Sequence, residues 1–278
     1  MRFTKMQGIG NDYVYINCMN SPVFDAQKLA RRISDRHFGI GSDGLILICP
    51  SEKADFQMVM YNADGSRAQM CGNGIRCVGK YVYDRGLTDK TAVAVETLGG
   101  IKILQLHPEG GKVKSVTVDM GVPVFAPKLI PSLLNEEDFI DKPVMVDGKE
   151  YRMTALSMGN PHAVVFVDDT DSLDLKAIGP AFENHPLFPE RINTEFIQVI
   201  DRSTLKMRVW ERGSGETMAC GTGACAAVVA GRLTNKIASE VIVKLLGGDL
   251  LINWSAEDNH VYMTGPAETV FDGEIDID

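Results

Sequence analysis

The stretch Cys71–Val82, which reads CGNGIRCVGKYV, decides the fold, because a related stretch returns later in the chain. Cys220–Ala230 reads CGTGACAAVVA, and the leading cysteines are 220 − 71 = 149 residues apart. Each stretch places a cysteine and two glycines at the start of a predicted helix. The second stretch is strongly apolar, which predicts a helix buried in its lobe with only the glycine-rich end at the surface.

Two other pairs of strings recur at nearly the same interval. Gly10–Asn11 and Gly159–Asn160 each precede an apolar strand and are also 159 − 10 = 149 residues apart. VETLGG, from Val95, corresponds to VKLLGG, from Val243, at 243 − 95 = 148. Generic turn signals would share neither the offset nor the cysteine, so we predict two homologous halves. Equivalent loops that face each other would form a cleft for a small ligand.

Short segments rich in β-branched residues predict an α+β fold dominated by antiparallel sheet. The predicted strands are Tyr13–Ile16, Leu45–Ile48, Val93–Val95, Ile101–Leu106, Val113–Val118, Ala163–Val167, Glu195–Ile200, Leu205–Trp210, Val241–Leu246 and Leu250–Trp254. The proline-dense segment Val122–Pro131 interrupts this pattern and is the predicted crossing between the halves.

The composition argues against several classes of protein. Hydrophobic residues make up 45% and charged residues 23% of the 278 residues, which is typical of a globular chain with a substantial core. The formal net charge of 28 − 37 = −9 argues against binding to nucleic acid or to an anionic membrane. The sequence contains neither an apolar run long enough to span a bilayer nor the apolar core of a signal peptide, so we expect a cytoplasmic location.

A cysteine beside a glycine-rich helix start indicates a specific chemistry. The glycines let the backbone approach a ligand, and the first helical turn binds a carboxylate or phosphate. The helix terminus also lowers the pKa of a thiol, so we expect the thiolate to be favoured at Cys71 and Cys220. If both helix ends held one carboxylate, one thiolate could remove the α-proton while the other thiol protonated the opposite face. This pattern indicates a racemase or epimerase.

The remaining cysteines fit small buried hydrophobic residues: Cys18, Cys49, Cys77 and Cys225. A metal site is disfavoured, because the cysteine spacings differ from the close pairs of zinc sites and the five histidines are scattered. A disulfide between Cys71 and Cys220 stays open as an alternative, as an oxidised and inactive form rather than the working state.

Several strings, in order along most of the chain, resemble those of the diaminopimelate epimerase family. They are Lys5–Asp12, Tyr61–Ser66, Met70–Cys77, Met158–His162, Arg191–Phe196, Trp210–Thr217 and Ala219–Cys225. The resemblance implies interconversion of L,L- and meso-2,6-diaminopimelate, in lysine and peptidoglycan precursor biosynthesis, without pyridoxal phosphate, any other cofactor or a metal ion. It also implies two lobes with pseudo-two-fold symmetry, each a mixed, largely antiparallel sheet around a central helix. We expect lobes at 1–120, completed by 264–278, and at 121–263, with the active site in the cleft between them.

The resemblance also implies roles for individual residues. Cys71 and Cys220 form the thiol/thiolate pair and exchange roles with the direction of reaction. The expected substrate-binding residues are Asn11, Asn62, Gly72, Asn73, Asn160, Asn193, Glu211, Arg212, Gly221 and Thr222. Within this set, the backbone N–H groups that cradle the reacting carboxylate belong to Gly72, Asn73, Gly221 and Thr222. Arg212 suits the distal carboxylate and Glu211 an ammonium group. His162 and Glu211 are expected to influence thiol ionisation.

Other interpretations stay open. Each asparagine could be a turn residue, and Glu211 and Arg212 could be solvated surface ions. A proline or hydroxyproline racemase shares the two thiols but acts on a substrate without a distal charged end. A non-catalytic binding protein or a thiol redox protein are further alternatives. Gly44 stands where some family members have a glutamine that contacts substrate, so no contact is expected there. The expected partners are diaminopimelate and a second copy of the chain in a homodimer.

Overall fold

The computed structural model describes residues 1–276, and these form two compact units. Unit 1 comprises Met1–Asp119 and the segment from Thr264 onward, whereas unit 2 comprises Met120–Met263. The division after Asp119 lies one residue before the expected lobe boundary. The expected C-terminal addition to the first lobe ends with residues 277 and 278, which lie outside the described residues.

Short runs of strands alternate with single helices along the chain. Up to Asp119 the elements are β1 (Arg2–Gly8), β2 (Asn11–Asn17), α1 (Ala26–Ser34), β3 (Gly44–Cys49), β4 (Phe56–Asn62), β5 (Arg67–Ala68), α2 (Gly72–Asp84), β6 (Ala92–Thr97), β7 (Gly100–Glu109) and β8 (Lys112–Asp119). Beyond Asp119 they are β9 (Lys142–Val146), β10 (Lys149–Ser157), β11 (Pro161–Phe166), α3 (Leu175–Glu183), β12 (Asn193–Asp201), β13 (Thr204–Glu211), β14 (Gly215–Glu216), α4 (Gly221–Leu233), β15 (Glu240–Leu245), β16 (Gly248–Trp254), β17 (Val261–Pro266) and β18 (Glu268–Glu274).

The two units repeat one order of strand pairing. In unit 1, β1 pairs antiparallel with β18 and β2, β2 pairs parallel with β3, and β3 pairs antiparallel with β4. In unit 2, β10 pairs antiparallel with β9 and β11, β11 pairs parallel with β12, and β12 pairs antiparallel with β13. A helical crossover, α1 or α3, joins each parallel pair, as parallel strands require. The predicted α+β fold with mixed, largely antiparallel sheets is therefore confirmed.

The helices reproduce the sequence repeat. α2 and α4 each have 13 residues, and their first residues are 221 − 72 = 149 apart. The shorter α1 and α3 each have nine residues and are N-capped by Asp25 and Asp174, which are 174 − 25 = 149 apart and accept from the backbone N–H three residues on. Gly10 and Gly159 both adopt positive φ, at 86° and 94°, where a Cβ would be strained.

α2 and α4 are the central helices of their units. α2 packs against β1, β2, β7 and β8, and α4 packs against β10, β11, β12 and β16. In each helix ten of the 13 residues are buried, so the sheet surrounds nearly the whole circumference. Such burial fixes the position of each helix start, which is where the cysteines lie.

A second apolar layer lies on the outer side of each sheet. In unit 1, α1 covers a cluster that includes Val14, Ile33 and Leu45. In unit 2, the cluster around α3 contains Phe182 and Phe196, whose rings meet edge to face at 5.1 Å between centroids. Each fully buried side chain of this kind contributes about 1.5–3 kcal/mol.

The proline-dense segment Val122–Pro131 lies within unit 2. Val124 bridges to Ser157 at the end of β10, and Pro127–Leu129 form a 3₁₀ turn. Among residues 1–276, no helix has the length and apolar character needed to cross a membrane.

Candidate active site

α2 and α4 each begin directly after a cysteine. Cys71 and Cys220 are the N-cap residues, with φ and ψ of −129° and 121° at Cys71 and of −120° and 109° at Cys220. This extended conformation brings the cap side chain back to the first helical turn. The Sγ atom of Cys71 accepts a hydrogen bond from the N–H of Gly74 at 3.3 Å. The sulfur thus takes the place that an oxygen holds in most N-caps.

The ionisation of both thiols differs from the sequence-based expectation. Burial raises the pKa of Cys71, and hydrogen bonds from the first-turn N–H groups only partly offset this. Burial also raises the pKa of Cys220, and the negative charges of Glu211 and Glu195 add to the rise. The expected lowering is therefore wrong, because desolvation of the thiolate outweighs the helix-terminal donors.

In unit 1, Cys71 faces the start of β2. Its thiol donates to Oδ1 of Asn11 at 3.1 Å, and Nδ2 of Asn11 donates to Oδ2 of Asp43 at 2.7 Å. The Tyr13 hydroxyl also hydrogen-bonds the sulfur. Asp43 therefore fixes the orientation of the Asn11 amide, so that its oxygen faces the thiol.

Asn73, the second residue of α2, is buried, and its side chain is hydrogen-bonded by another residue of the same helix. Its Oδ1 accepts from Nη1 of Arg76 at 2.9 Å, and the same nitrogen donates to the carbonyl oxygen of Gly72 at 3.3 Å. Nε of Arg76 donates to the carbonyl oxygen of Pro266 at 3.1 Å. The fully buried Arg76 cation therefore ties the first turn of α2 to β17, and its charge lowers the pKa of Cys71 against the larger effect of burial.

In unit 2, Cys220 lies beside a carboxylate. Its Sγ is 3.5 Å from Oγ1 of Thr222, and it hydrogen-bonds the carboxyl group of Glu211. Burial raises the pKa of Glu211, although the hydroxyl of Thr217 donates to that carboxylate and partly offsets the rise. Glu211 is thus a buried carboxyl group in hydrogen-bond contact with the Cys220 thiol.

His162 and Glu195 complete this cluster. Nδ1 of His162 lies 2.7 Å from Oε1 of Glu195, Nε2 lies 2.9 Å from Oδ1 of Asn160, and both His162 and Glu195 are fully buried. Donor atoms of His162, Glu195 and Cys220 lie within 4.8 Å of one another, a set that could ligate a metal ion. Both ring nitrogens of His162 are already engaged, so a metal ion there would displace Glu195 or Asn160.

Glu195 was not among the predicted site residues. The offset of 149 pairs Asn160 with Asn11, His162 with Tyr13, and Glu195 with Ile46. Unit 2 therefore carries an imidazole and a carboxylate where unit 1 carries a phenol and an apolar side chain. One sequence signal could have indicated Glu195: it is a carboxylate within an apolar strand, and the equivalent position in the other half of the repeat is the isoleucine Ile46.

Asn62 and Glu211 are the last residues of equivalent strands, β4 and β13, and lie 211 − 62 = 149 positions apart. The structure uses the Asn62 amide locally, since Nδ2 donates to Oγ of Ser66 at 3.0 Å. Asn62 keeps partial exposure, and its role toward a substrate stays a prediction.

Asn193 and Arg212 are linked to each other. The buried Asn193 donates from Nδ2 to the carbonyl oxygen of Pro161 at 2.8 Å and accepts from the N–H of Arg212 at 2.9 Å. Nη1 of Arg212 donates to the carbonyl oxygen of Glu190 at 3.0 Å. Asn193 therefore braces β11 and the turn that carries Arg212, and the Arg212 guanidinium remains partly exposed.

The fold resembles that of solved structures with little sequence similarity to this chain. A phenazine biosynthesis protein of the PhzF family from Bacillus anthracis matches with a TM-score of 0.72 at 17% identity, over 100% of this chain and 99% of that one. A hydroxyproline epimerase from Agrobacterium vitis matches with a TM-score of 0.71 at 15% identity, over 99% of this chain and 90% of that one. At these identities the likeness shows the fold alone, which is that of the PhzF proteins and amino acid epimerases.

Sequence similarity is more specific. The diaminopimelate epimerase family profile matches residues 3–126 and 154–270. A diaminopimelate epimerase from Acetivibrio thermocellus is 60% identical over 277 residues, which cover 100% of this chain and 99% of that protein. The chain belongs to the diaminopimelate epimerase family.

Proposed function

We propose that this chain is a cofactor-independent isomerase that interconverts L,L- and meso-2,6-diaminopimelate in lysine biosynthesis, with Cys71 and Cys220 as acid and base. The observation that carries the proposal is the pair of equivalent helices, each capped by a cysteine, in a chain 60% identical over its full length to a diaminopimelate epimerase. A racemase needs similar acid–base groups on both faces of the substrate α-carbon. The two N-cap cysteines, Cys71 and Cys220, would provide such a pair.

In the proposed reaction, the thiolate of one cysteine removes the α-proton and the electron pair of the broken C–H bond stays with the α-carbon and its carboxylate. The thiol of the other cysteine then delivers its proton to the opposite face. One thiolate and one thiol enter the step and one of each leaves it, so charge and protons balance. The dipoles of α2 and α4 stabilise the negative charge that develops.

Formation of the reactive thiolate needs a base, because burial raises the pKa of both cysteines. Glu211 is suited to this role for Cys220, since the two side chains are hydrogen-bonded and burial raises the pKa of Glu211. We assign a supporting role to His162, which lies in the same cluster and would relay or stabilise the proton that leaves Cys220.

The substrate contacts follow from the chemistry of each group. We assign the reacting carboxylate to the first turns of the helices, at Gly72 and Asn73 and at Gly221 and Thr222. The distal carboxylate is assigned to Arg212, and an ammonium group to Glu211. Amide contacts complete the proposed set, from Asn11, Asn62, Asn160 and Asn193.

Hydrogen exchange tests the proposal directly. Reduced protein is incubated with L,L-diaminopimelate in heavy water without added cofactor, and deuterium at the α-carbons is followed by NMR or mass spectrometry. We expect deuterium to enter with formation of the meso isomer. Exchange of proline or hydroxyproline, with none of diaminopimelate, would instead support a proline-type racemase.

Each cysteine has a matched control in its own helix. Replacement of Cys71 or Cys220 by Ala should lower turnover by about 10²-fold or more, because a positioned acid or base is lost. Cys77→Ala and Cys225→Ala remove fully buried thiols outside the proposed machinery and should retain turnover. Full activity in a folded Cys71→Ala or Cys220→Ala protein would rule out the two-thiol scheme.

We also propose that the enzyme is cytoplasmic and that it forms a homodimer. The acidic composition and the presence of six cysteines as thiols outside disulfides support the first, and strand β18, which exposes Val270 and Phe271, supports the second. Sedimentation of the reduced protein at several concentrations would distinguish the dimer from a monomer.

A further inference from the structure

Cys18 and Cys49 lie side by side at the ends of neighbouring parallel strands. The register of β2 and β3 pairs Asn17 with Ile48, and the N–H of Cys18 continues it by donating to the carbonyl oxygen of Ile48 at 2.8 Å. The next register pair is Cys18 with Cys49. Register partners in a parallel pair direct their side chains to the same face of the sheet, so the two thiols are neighbours.

The environments of the two thiols differ. Cys18 is 6% exposed and belongs to the apolar cluster under α1, whereas Cys49 is partly exposed at the edge of that cluster. The thiols hydrogen-bond each other, which raises the pKa of Cys18 and lowers that of Cys49. Cys49 is therefore the accessible nucleophile, and Cys18 is the buried partner behind it.

This pair lies apart from the candidate active site. Asn11, which contacts Cys71, begins β2, whereas Cys18 follows its end, and a seven-residue strand spans about 20 Å. Cys18 and Cys49 have no part in the proposed epimerisation, so a modification at this pair leaves the catalytic thiols free.

We propose that Cys18 and Cys49 form a redox-active dithiol that low-molecular-weight disulfides oxidise to an intramolecular disulfide. The Cys49 thiolate attacks one sulfur of the external disulfide, which forms a mixed disulfide and releases one thiolate. Cys18 then loses its proton and attacks the Cys49 sulfur, which releases the second thiolate. The protein loses two electrons and two protons, and the external disulfide becomes two thiols.

The backbone spacing is compatible with this bond. Adjacent strands lie about 4.8 Å apart, within the range of about 4.4–6.8 Å that Cα atoms span across a disulfide. Cys18 follows the last residue of β2, so it is free of the sheet register on its C-terminal side and can adjust.

The test is incubation of the reduced, full-length protein with oxidised glutathione, followed by peptide mapping without reduction. Cleavage after lysine and arginine places Cys18 in peptide 6–28 and Cys49 in peptide 37–53, each with a single cysteine. We expect these two peptides to be linked, with loss of two hydrogens, before any other pair of cysteines. A Cys71→Ser/Cys220→Ser protein should form the same link, because the catalytic thiols are not involved.

Single variants distinguish the two roles. In Cys18→Ser the reaction should stop at a glutathione adduct on Cys49, whereas in Cys49→Ser peptide 6–28 should stay unmodified over the same time. The proposal is overturned if both variants react alike, if glutathione links Cys71 to Cys220 first, or if neither peptide changes while other cysteines are oxidised.

Discussion

At the scale of single residues, the hydrogen bond between Glu195 and His162 distinguishes unit 2 from unit 1. Oε1 of Glu195 lies 2.7 Å from Nδ1 of His162, and the equivalent pair in unit 1 is Ile46 and Tyr13. A carboxylate on one ring nitrogen fixes the orientation of an imidazole. Glu195 therefore holds the His162 ring in place, and its negative charge raises the pKa of Cys220.

Glu195→Gln should lower kcat by about 10²-fold. The reason is that loss of the carboxylate removes the contact that aligns the His162 imidazole near the sulfur of Cys220. The same change removes a negative charge that raises the pKa of Cys220. The pKa of Cys220 should therefore fall in the variant, and the corresponding limb of the kcat/KM profile should move to lower pH. Alkylation of Cys220 by iodoacetamide, measured against pH, reports the same shift.

The matched control is Glu150→Gln, which removes an exposed carboxylate on β10 of the same unit. It should leave both the rate and the pH profile unchanged. A Glu195→Gln protein with lower stability but an unshifted profile would reduce Glu195 to a structural role.

Residues that stand in short sequence motifs were predicted from the sequence. Residues whose role depends on burial and on contacts between distant strands were missed. Cys71 and Cys220 stand at glycine-rich helix starts, so local chemistry points to them, whereas the prediction for His162 came from the family resemblance alone. Glu195 lies 33 residues from His162 and meets it only because β11 and β12 pair in parallel. The direction of the thiol pKa shift was also missed, since a helix start is visible in sequence and the desolvation around it is not.

At the scale of elements, the starts of α2 and α4 were predictable and their surroundings were not. A cysteine followed by glycines and an apolar run defines a helix start, so the predicted positions hold. β1 and β18 went unpredicted, because residues such as Thr4, Lys5 and Asp272 interrupt their apolar alternation. These strands gain stability from each other across the chain, a contact that local patterns do not encode.

The starts of α2 and α4 differ in what packs against them, and the equivalent glycines Gly74 and Gly223 test this difference. A Cβ at Gly223 would lie 2.5 Å from Oε1 of Glu195, whereas a Cβ at Gly74 would lie 2.7 Å from Cδ1 of Ile46. The terminal methyl of Ile46 can rotate away, but Glu195 is held by His162. Gly223→Ala should therefore destabilise the protein by about 1–3 kcal/mol and lower activity, and Gly74→Ala should cost less.

Thermal unfolding of both alanine variants, with turnover measured in parallel, checks this prediction. Equal losses in the two variants would show that the His162–Glu195 contact adds no rigidity to the start of α4.

At the scale of the whole molecule, carboxylates in both units set the response to acid. The hydrogen bond from Arg85 lowers the pKa of Asp272 in unit 1, and that from Arg152 lowers the pKa of Asp141 in unit 2. The hydroxyl of Tyr262 lowers the pKa of Asp258 to about 2. A carboxyl group with a lowered folded-state pKa adds stability above its unfolded value, which is 3.8 for these aspartates, and loses it as the pH falls through the folded value.

The contribution of these aspartates to the melting temperature should therefore be nearly constant above about pH 5 and should fall as the pH drops from about 4 to 2. Calorimetry across this range measures the effect. Added salt at pH 4 should weaken the contribution of the arginine pairs, which are solvent-accessible. A melting temperature that stays flat down to about pH 2 would contradict this account.

Unit 1 is assembled from both ends of the described chain. β1 lies between β2 and β18, and the ammonium group of Met1 donates to the carbonyl oxygen of Ile275 at 2.7 Å. All of unit 2 is synthesised before β18, so the outer edge of β1 stays unpaired until β18 emerges from the ribosome. An unpaired strand edge is a template for wrong association. The nascent chain is therefore most vulnerable in the interval between the emergence of β1 and the arrival of its last partner strand.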